Sequence, residues 1–333
     1  MKIIDHPSRE LWSQVVARSP YATFFHTPTW ADILVSTFPE MHIATKAFCL
    51  DDNTVALVPI IGTMERNGFF GWFESMYPGA YGGPVAERPL TPFEMKAISH
   101  HLTSRHTAYV QIMGNPFLGS EKDFHVDAAF TPSLQYTHFL YLEDGFHSVH
   151  DRFSAEKRRY ARKAVKLGVV VSVAETWEEY EQYYQAYLDT LERWGASTLV
   201  RYPRSLFEHL FRHRSDAIRL WIAKKNGQVI SGKLVFYHQR QALYWHGATI
   251  QRYFDHHPAP LLMTEVVRDA CRQGLQYLDL GPSGGLSGVE FYKETFGAQK
   301  RFFGSYVWNA NRLYRLYKRL RGLGRRIASK TAA

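Results

Sequence analysis

The chain has 333 residues, which is more than one hydrophobic core usually serves, so two domains are expected. Its 45% hydrophobic and 21% charged residues are typical of a globular protein and exclude a largely disordered one. The two cysteines, Cys49 and Cys271, are too few for a disulfide framework or a multi-cysteine zinc cluster, and they fit a reducing compartment. We see no apolar leader and no run near the roughly 18 apolar residues of a membrane span, so we expect a cytoplasmic protein.

The net charge of +9 is concentrated at the C-terminal end of the chain. Residues 311–333 contain eight basic residues and no acidic one, whereas the remainder has 32 basic and 31 acidic residues. Their spacing predicts an amphipathic helix with a basic side and an apolar side formed by Leu313, Leu316, Tyr317, Leu320, Leu323 and Ile327. This strip could bind tRNA phosphates or the anionic inner face of a membrane, or it could simply dock on the first domain.

Periodicity in the first half predicts two helices and two strands. Apolar residues have helical spacing over 8–17 and over 91–104. The patterns over 53–62 and over 108–113 predict strands, and the second strand ends at Gly114-Asn115-Pro116.

The second half predicts a similar order of elements. Strands over 218–224 and 229–237 flank Asn226-Gly227, a pair that favours the tight turn of a β-hairpin. The following pattern predicts a strand, a helix and another strand, over 241–248, 260–273 and 275–280. Both halves thus lead from a helix into a strand that ends in glycine and proline. We therefore expect two copies of one α/β unit, one formed by residues 1–148 with 311–333 and the other by residues 149–310.

A strongly basic helix is predicted over residues 152–168, between the two halves. Its apolar members form a narrow stripe, and Gly168 is placed to end it. Most of the other residues are cationic, Arg158 and Arg162 among them. These cations either cover the solvated face of an ordinary helix or bind phosphate groups of a substrate.

Four segments carry a combined pattern: Phe24-Phe25-His26-Thr27-Pro28-Thr29-Trp30, the basic helix, the run 218–274, and Tyr277-Leu278-Asp279-Leu280-Gly281 followed by Phe291-Tyr292-Lys293-Glu294-Thr295-Phe296-Gly297. Together they resemble the FemABX-like aminoacyltransferases, which include peptidoglycan interpeptide bridge enzymes, and their GNAT-type N-acyltransferase relatives. The resemblance implies an α/β (α+β) fold of two tandem GNAT-like domains, each a mixed, mostly antiparallel sheet flanked by helices. It also implies that the C-terminal helix returns to the first domain.

The resemblance implies an enzyme that transfers an acyl group to an amine. The donor in this family is aminoacyl-tRNA or, in other branches, an acyl thioester such as acyl-CoA, and no cofactor is tightly bound. A neutral amine attacks the carbonyl, and donors placed at the carbonyl oxygen stabilise the developing negative charge. Direct attack agrees with the lack of a Gly-x-Ser-x-Gly motif and with the mid-helix position of Cys271, where a buried structural thiol is expected.

By the resemblance, Lys293 is the first catalytic candidate. In related transferases this lysine lies near the 3′ end of the acyl donor, where it stabilises the oxyanion or holds a phosphate. Tyr292 occupies the position of the preceding aromatic residue. From its spacing alone, Lys293 would instead be a solvent-facing lysine between two buried aromatics. Asp279, at a strand end, either accepts or orients the proton of the amine, or it caps the Gly281 turn and pairs with Lys293.

The acceptor is expected in a cleft beside these residues. Candidate substrate-binding side chains come from the loop after a helix over 176–194 and from the strand that faces it: Trp194, Arg201, Tyr202, Arg204, Tyr244 and His246. The arginines suit bidentate binding of carboxylate or phosphate, although each could be an ordinary surface residue. Tyr81-Gly82-Gly83-Pro84 resembles the glycine-rich loop of relatives and could equally be an ordinary turn.

Two departures from the family pattern bear on the substrates. Ile33 and Leu34 stand where peptidoglycan-building members carry a basic residue, which favours another envelope or polysaccharide amine as acceptor. Residues 251–260 lack the pyrophosphate loop of CoA-dependent relatives, which favours aminoacyl-tRNA over acyl-CoA. His209 and His213 lack the order of a His-Glu-x-x-His zinc site, so no metal is expected.

Two functions of different class follow from these patterns. The first is transfer of an aminoacyl group from charged tRNA to an amine of a cell-envelope or polysaccharide precursor at the cytoplasmic face, with acyl-CoA as the alternative donor. The second is a non-catalytic module that binds RNA or a membrane surface through the basic tail.

Overall fold

The structure of the protein is a computed structural model. It describes residues 1–64, 71–76, 80–103, 107–118, 126–195 and 201–309. The amphipathic helix predicted within 311–333 lies outside these ranges.

The first part of the chain combines short strands with three helices. In chain order these elements are β1 (Lys2–Asp5), α1 (Arg9–Arg18), α2 (Pro28–Thr37), β2 (Met41–Ile43), β3 (Lys46–Cys49), β4 (Val55–Val58), β5 (Ile61–Met64), β6 (Gly71–Glu74), α3 (Pro92–His101), β7 (Thr107–Met113) and β8 (Thr131–Tyr141). A single turn of 3₁₀-helix at Phe24–His26 precedes α2.

The second part has longer helices and strands. They are α4 (Gly145–Asp151), α5 (Ala155–Lys166), β9 (Val170–Val173), α6 (Trp177–Trp194), α7 (Arg204–Arg212), β10 (Ile218–Lys225), β11 (Gln228–His238), β12 (Gln241–Thr249), α8 (Pro258–Arg272), β13 (Tyr277–Pro282), α9 (Ser287–Glu294) and β14 (Gln299–Asn309). None of the helices in the described ranges is both long and apolar enough to cross a membrane.

Local chemistry accounts for several element boundaries. Ser8 caps α1 by accepting a hydrogen bond from the backbone N–H of Leu11. Pro59 divides the strand predicted over 53–62 into β4 and β5, since proline has no N–H to donate to a sheet ladder. The basic helix begins as α5 after the cap residue Ser154, three residues later than the charge pattern predicts.

Two sheets form the framework. The strands β1, β3 and β4 make a small antiparallel sheet, and the other eleven form one sheet in the order β2-β5-β6-β7-β14-β8-β13-β12-β11-β10-β9. Neighbouring strands of the large sheet are antiparallel except for β6 with β7 and β12 with β13. The predicted fold class, an α/β fold with mixed and mostly antiparallel pairing, is confirmed.

The large sheet repeats one arrangement at two places. A helix links each parallel pair, α3 between β6 and β7 and α8 between β12 and β13. The strand that follows each parallel pair along the chain joins the other pair: β8, which follows β7, pairs with β13, and β14, which follows β13, pairs with β7. β8 and β14 also pair with each other. Two copies of one unit would give this order. The division into residues 1–148 with 311–333 and 149–310 stays a prediction, and one continuous sheet passes through both parts.

An aromatic cluster joins the first helices to β11 and β12. The Trp30 side chain has no exposed surface, and its ring lies 5.5 Å from the rings of Phe236 and Trp245. Phe24 stacks on Phe236 with a centroid distance of 4.6 Å. The motif 24–30 thus belongs to the core that holds the two parts of the chain together.

We expect Trp30→Ala to lower the free energy of unfolding by about 3–5 kcal/mol, because it removes a fully buried indole and leaves a cavity. Urea unfolding followed by circular dichroism measures the change. Phe93→Ala is the matched control, since Phe93 is 80% exposed and should change stability by less than about 0.5 kcal/mol. Equal effects of the two substitutions would contradict the assigned core.

Candidate active site

The parallel strands β12 and β13 separate partway along their length. They pair only over Gln241–Leu243 and Tyr277–Asp279. Directly afterwards, β12 has a bulge at Trp245, and the register of β13 with β8 shifts after Asp279. The sheet therefore opens between the two strands, and openings at strand ends are common ligand sites in α/β proteins.

Lys293 of α9 lies at this opening and is only 3% exposed. Its Nζ donates to the backbone oxygen of Gly281 at 2.6 Å, on the part of β13 beyond the separation. Burial lowers the pKa of Lys293 to about 8, while the charges of Asp279 and Glu290 oppose the shift. At neutral pH Lys293 is thus a desolvated ammonium, and its interpretation as a solvent-facing lysine is wrong.

Asp279 is fully buried and connects distant parts of the chain. Its carboxylate accepts hydrogen bonds from Tyr81 Oη at 2.6 Å, from the backbone N–H of Gly281 at 2.8 Å, and from the Thr137 hydroxyl. Burial raises the pKa of Asp279 to about 6, against the effect of these hydrogen bonds. The carboxylate caps the Gly281 turn, which is one of the two roles the sequence suggested, and three of its roughly four acceptor positions are used.

The loop Tyr81-Gly82-Gly83-Pro84 is packed closely and positions Tyr81. A Cβ atom at Gly82 would lie 1.4 Å from the backbone oxygen of Ser75, so no other residue fits there. The buried His26 accepts the Thr23 N–H at Nδ1, which leaves Nε2 to donate to the oxygen of Gly82 at 3.1 Å. Through Tyr81, this loop supports Asp279 from the first half of the chain.

Sequence reasoning missed a second buried lysine, Lys233 of β11, which is 2% exposed. Its Nζ lies 3.9 Å from the ring centroid of Tyr244 and 5.6 Å from that of Tyr292. Burial lowers the pKa of Lys233 to about 7, and the charge of Lys293 adds to the shift. The sequence does contain a signal, because Lys233 is the one charged residue in the run 229–237, whose other members are mostly apolar.

The bulge in β12 places Tyr244 and His246 on opposite faces of the sheet. Tyr244 packs on the side covered by α5 and α8. His246 lies on the side covered by α6 and α7, where its Nδ1 and Tyr183 Oη form a hydrogen bond of 2.6 Å. Regular alternation would put both residues on one face, and the extra residue Trp245 changes this. Gly247 makes room for Tyr244, since a Cβ there would lie 2.0 Å from its Oη.

The other predicted acceptor residues fall into two groups. Tyr202 joins His246, with 5.6 Å between the ring centroids. Trp194 and Arg201 are exposed, and the residues between 195 and 201 lie outside the described ranges. Arg204 forms an ion pair with Glu181 at 2.6 Å and covers the ring of Trp177, so its guanidinium is engaged with α6. Their binding of an acceptor stays a prediction.

The two arginines predicted on the basic helix also differ. Arg158 donates to the backbone oxygens of Asp151 at 2.5 Å and Phe153 at 2.6 Å, so its guanidinium closes the turn before α5. Arg162 is exposed on the cationic face of α5. Of the two, Arg162 is the one whose position suits contact with a polyanion.

The N-terminus of α8 offers few backbone donors. Pro258 and Pro260 occupy its first and third positions, and the N–H of His257 bonds to the oxygen of Phe254 at 2.9 Å. The ring of Tyr160 on α5 stacks on His257 at a centroid distance of 4.0 Å. A diphosphate cradle built from successive N–H groups is therefore lacking at this helix end.

One group of side chains in the described ranges could offer metal ligands. Atoms of His138, Glu290 and Glu294 lie within 4.8 Å of one another. Glu290, however, forms an ion pair with Lys300 and accepts a hydrogen bond from Tyr136 at 3.1 Å. Since the cluster already contains its own cation, we assign no metal to it.

The two depressed lysine pKa values predict how stability depends on pH. Between pH 8 and 9.5 the unfolded chain holds protons on both lysines, whose ordinary pKa is 10.5, whereas in the folded chain Lys233 is neutral and Lys293, with a pKa of about 8, is losing its proton. Stability therefore rises with pH, by about 1.4 kcal/mol per pH unit for Lys233 and by a smaller amount for Lys293 near pH 8. Urea unfolding at pH 8.0 and 9.5 should show a smaller rise for Lys233→Met, while the exposed control Lys96→Met should keep it. An unchanged slope in Lys233→Met would contradict the neutral state of Lys233.

Comparison with known proteins relates this geometry to acyl transfer. Residues 151–294 match the family model of the acetyltransferase (GNAT) domain. FemX has the same fold, with a TM-score of 0.74 at 14% identity over 95% of this chain and 99% of that chain. The C-terminal domain of a proposed lysylphosphatidylglycerol synthetase from Agrobacterium fabrum has a TM-score of 0.59 at 12% identity, over 91% and 92% of the two chains.

A conserved protein of unknown function from Bacteroides thetaiotaomicron also has this fold, with a TM-score of 0.58 at 11% identity over 90% and 95% of the two chains. Curated protein sequences gave no match. The segment that matches the GNAT domain contains Lys233, Asp279 and Lys293 and the opening between β12 and β13. The resemblance seen in the sequence motifs is confirmed: the protein is an acyltransferase with a GNAT domain and the fold of FemX.

Proposed function

We propose that this acyltransferase moves an aminoacyl group from aminoacyl-tRNA to an amine of a cell-envelope or polysaccharide precursor. The observation that carries the proposal is the buried ammonium of Lys293 at the point where β12 and β13 separate. A cation that is already in place in a desolvated site stabilises an oxyanion more strongly than the same cation in water. Direct attack of an amine on an ester carbonyl needs this kind of stabilisation.

In the proposed reaction, the carbonyl oxygen of the donor lies beside Lys293 Nζ. One N–H of the ammonium bonds to Gly281, and an ammonium has three. The amine nitrogen attacks the carbonyl carbon, negative charge gathers on the oxygen, and the bond to the 3′ oxygen of the tRNA then breaks. Cys271 does not act as a nucleophile in this scheme, since burial raises the pKa of its thiol.

The cationic face of α5 supports a polyanionic donor. Its exposed residues are Arg159, Arg162, Lys163 and Lys166. At the inner end of this face, Lys157 lies 5.5 Å from the ring centroid of Tyr292, the neighbour of Lys293. A tRNA whose 3′ end reaches Lys293 would lie along these cations. The two prolines at the start of α8 disfavour CoA, because they remove N–H groups that its diphosphate would need.

The opposite face of β12 is the proposed side of approach for the acceptor. His246, Tyr202 and Trp245 gather there, just after Leu243, where the pairing of β12 with β13 ends. Ile33 and Leu34 of α2 are fully buried, so the position of a basic phosphate contact in peptidoglycan-building relatives is part of the core here. This supports an acceptor other than the usual muropeptide precursor.

Donor choice can be tested by ligand-dependent thermal stability. We expect bulk charged tRNA at low salt to raise the melting temperature, and acetyl-CoA at equal concentration to leave it unchanged, since a ligand that binds only the folded state stabilises it. Charge reversal at Arg162 (Arg162→Glu) should weaken the tRNA effect, and the same change at Lys96 on α3 is the control. Stabilisation by acetyl-CoA alone would contradict the proposed donor.

We expect Lys293→Met to lower kcat by about 10²–10³-fold with little change in KM, because it removes an oxyanion donor and keeps the apolar packing. The assay follows labelled aminoacyl groups from bulk charged tRNA to ethanolamine as a minimal amine. Lys96→Met is again the control for loss of an exposed lysine. Full activity of Lys293→Met would show that the oxyanion is stabilised elsewhere.

A further inference from the structure

Lys233 is a buried lysine with no carboxylate partner among the described residues. The titratable groups close to it are Tyr244 from β12 and Tyr292 and Lys293 from α9. Lys157 from α5 lies 5.5 Å from the same Tyr292 ring. Asp269 of α8 lies toward another part of β11, where it pairs with Arg219 and accepts from Tyr237. A positive charge on Lys233 would therefore meet aromatic rings and a second ammonium, and no anion.

Such a residue is costly in a structural role. Burying an ammonium without a partner costs several kcal/mol, and a neighbouring ammonium increases that cost. The cost is reduced when the lysine gives up its proton, which leaves a neutral amine with a free lone pair. Gly247 and the bulge at Trp245 keep the Tyr244 ring 3.9 Å from this amine. The ring attracts a cation, but by less than the several kcal/mol that burial costs, so Lys233 remains a readily deprotonated amine.

Acyl transfer to an amine requires such an acceptor. The attacking nitrogen must lose a proton before a stable amide forms, and most alkyl amines carry an extra proton at neutral pH. Asp279 is poorly suited to the task, because three hydrogen bonds engage its carboxylate and hold it in the ionised, structural role. Lys293 cannot serve either, since it is the ammonium that faces the oxyanion.

We propose that the neutral amine of Lys233 is the proton acceptor of the transfer reaction. This inference rests on the proposed function, because it assigns a step within it. The ammonium of the acceptor passes its extra proton to Lys233 Nζ, and the nitrogen, now neutral, forms a bond to the carbonyl carbon. The bond to the leaving oxygen of the donor breaks as that oxygen takes a second proton from the nitrogen. Lys233 then gives its proton to solvent, which is the one proton that transfer from an ammonium releases, and its amine is neutral again. Lys293 remains an ammonium throughout.

The state of Lys233 can be measured without any substrate. In protein labelled with ¹³C at the lysine Cε, the signal that disappears in Lys233→Met is followed by NMR from pH 5 to 11. We expect a midpoint near 7, as the pKa of about 7 indicates. A midpoint near 10 would overturn the proposal, whatever the enzyme transfers, so this result is separate from the fate of the proposed function.

The catalytic role is tested with two model acceptors and bulk charged tRNA. Ethanolamine is charged at neutral pH and needs a base, whereas methoxyamine is already neutral and does not. We expect Lys233→Met to lower kcat by 10²-fold or more with ethanolamine and by less than threefold with methoxyamine. The deficit with ethanolamine should shrink as pH rises, because free neutral amine becomes abundant.

Equal losses with both amines would indicate a packing role and overturn the proposal, and so would full activity with ethanolamine. Circular dichroism and the melting temperature show whether Lys233→Met folds. If it does not, the unaltered protein still decides, because the proposal requires a lysine Cε signal with a midpoint near 7 and is overturned if no lysine titrates there. Lack of transfer by the unaltered protein to either amine would count against the proposed function itself, whatever the NMR midpoint of Lys233.

Discussion

Two lysines buried in one poorly solvated site cannot both be charged without a large electrostatic cost. Lys233 and Lys293 satisfy this constraint by differing in protonation: Lys233 loses its proton more readily, and Lys293 keeps its own. Lys293 has a backbone oxygen and two carboxylates in its surroundings, which favour its ammonium. Among the residues that the structure describes, Lys233 has aromatic rings and the Lys293 charge as neighbours and no carboxylate, so its pKa falls further. In the proposed mechanism, one site thereby holds a hydrogen-bond donor and a proton acceptor built from the same residue type. Environment sets the two roles, as it does for paired carboxylates in other enzymes.

The opening between β12 and β13 is held in place by both parts of the chain. Tyr81 reaches from the first part to Asp279, and Thr137 of β8 binds the same carboxylate. The exchange of β8 and β14 between the two arrangements of the sheet fixes the strand next to β13. The GNAT segment alone therefore lacks Tyr81 and Thr137, two of the three hydrogen-bond donors to its own aspartate. The segment 151–294 that matches the GNAT model therefore depends on strands outside it, with which it forms one continuous sheet.

Sequence patterns predicted the elements that local chemistry specifies. Caps, the Asn226-Gly227 turn and helical spacing led to α1, α3, the β10–β11 hairpin and α8, because each depends on residues close in sequence. The two motifs at 277–281 and 291–297 also identified Asp279 and Lys293 as candidate site residues, and both lie at the opening between β12 and β13 in the structure.

The remaining features depend on contacts distant in sequence. The insertion of β14 between β7 and β8 joins residues almost 200 positions apart. The bulge at Trp245, which sends Tyr244 and His246 to opposite faces, follows from how β12 fits against β11 and leaves β13. Lys233 stands out in the sequence as the one charged residue in the run 229–237, which indicates a buried lysine. Its charge state, however, depends on packing against α9 and β12, which the run itself does not show.

A structure with a bound donor analogue tests the central claim most directly. The analogue is a short RNA that ends in a 3′-aminoacyl amide, which cannot transfer its acyl group. The account predicts that the analogue's carbonyl oxygen lies about 3 Å from Lys293 Nζ, with the RNA backbone along the exposed cations of α5. An analogue bound with its carbonyl remote from Lys293, or seated on the α6–α7 face beside His246, would contradict it.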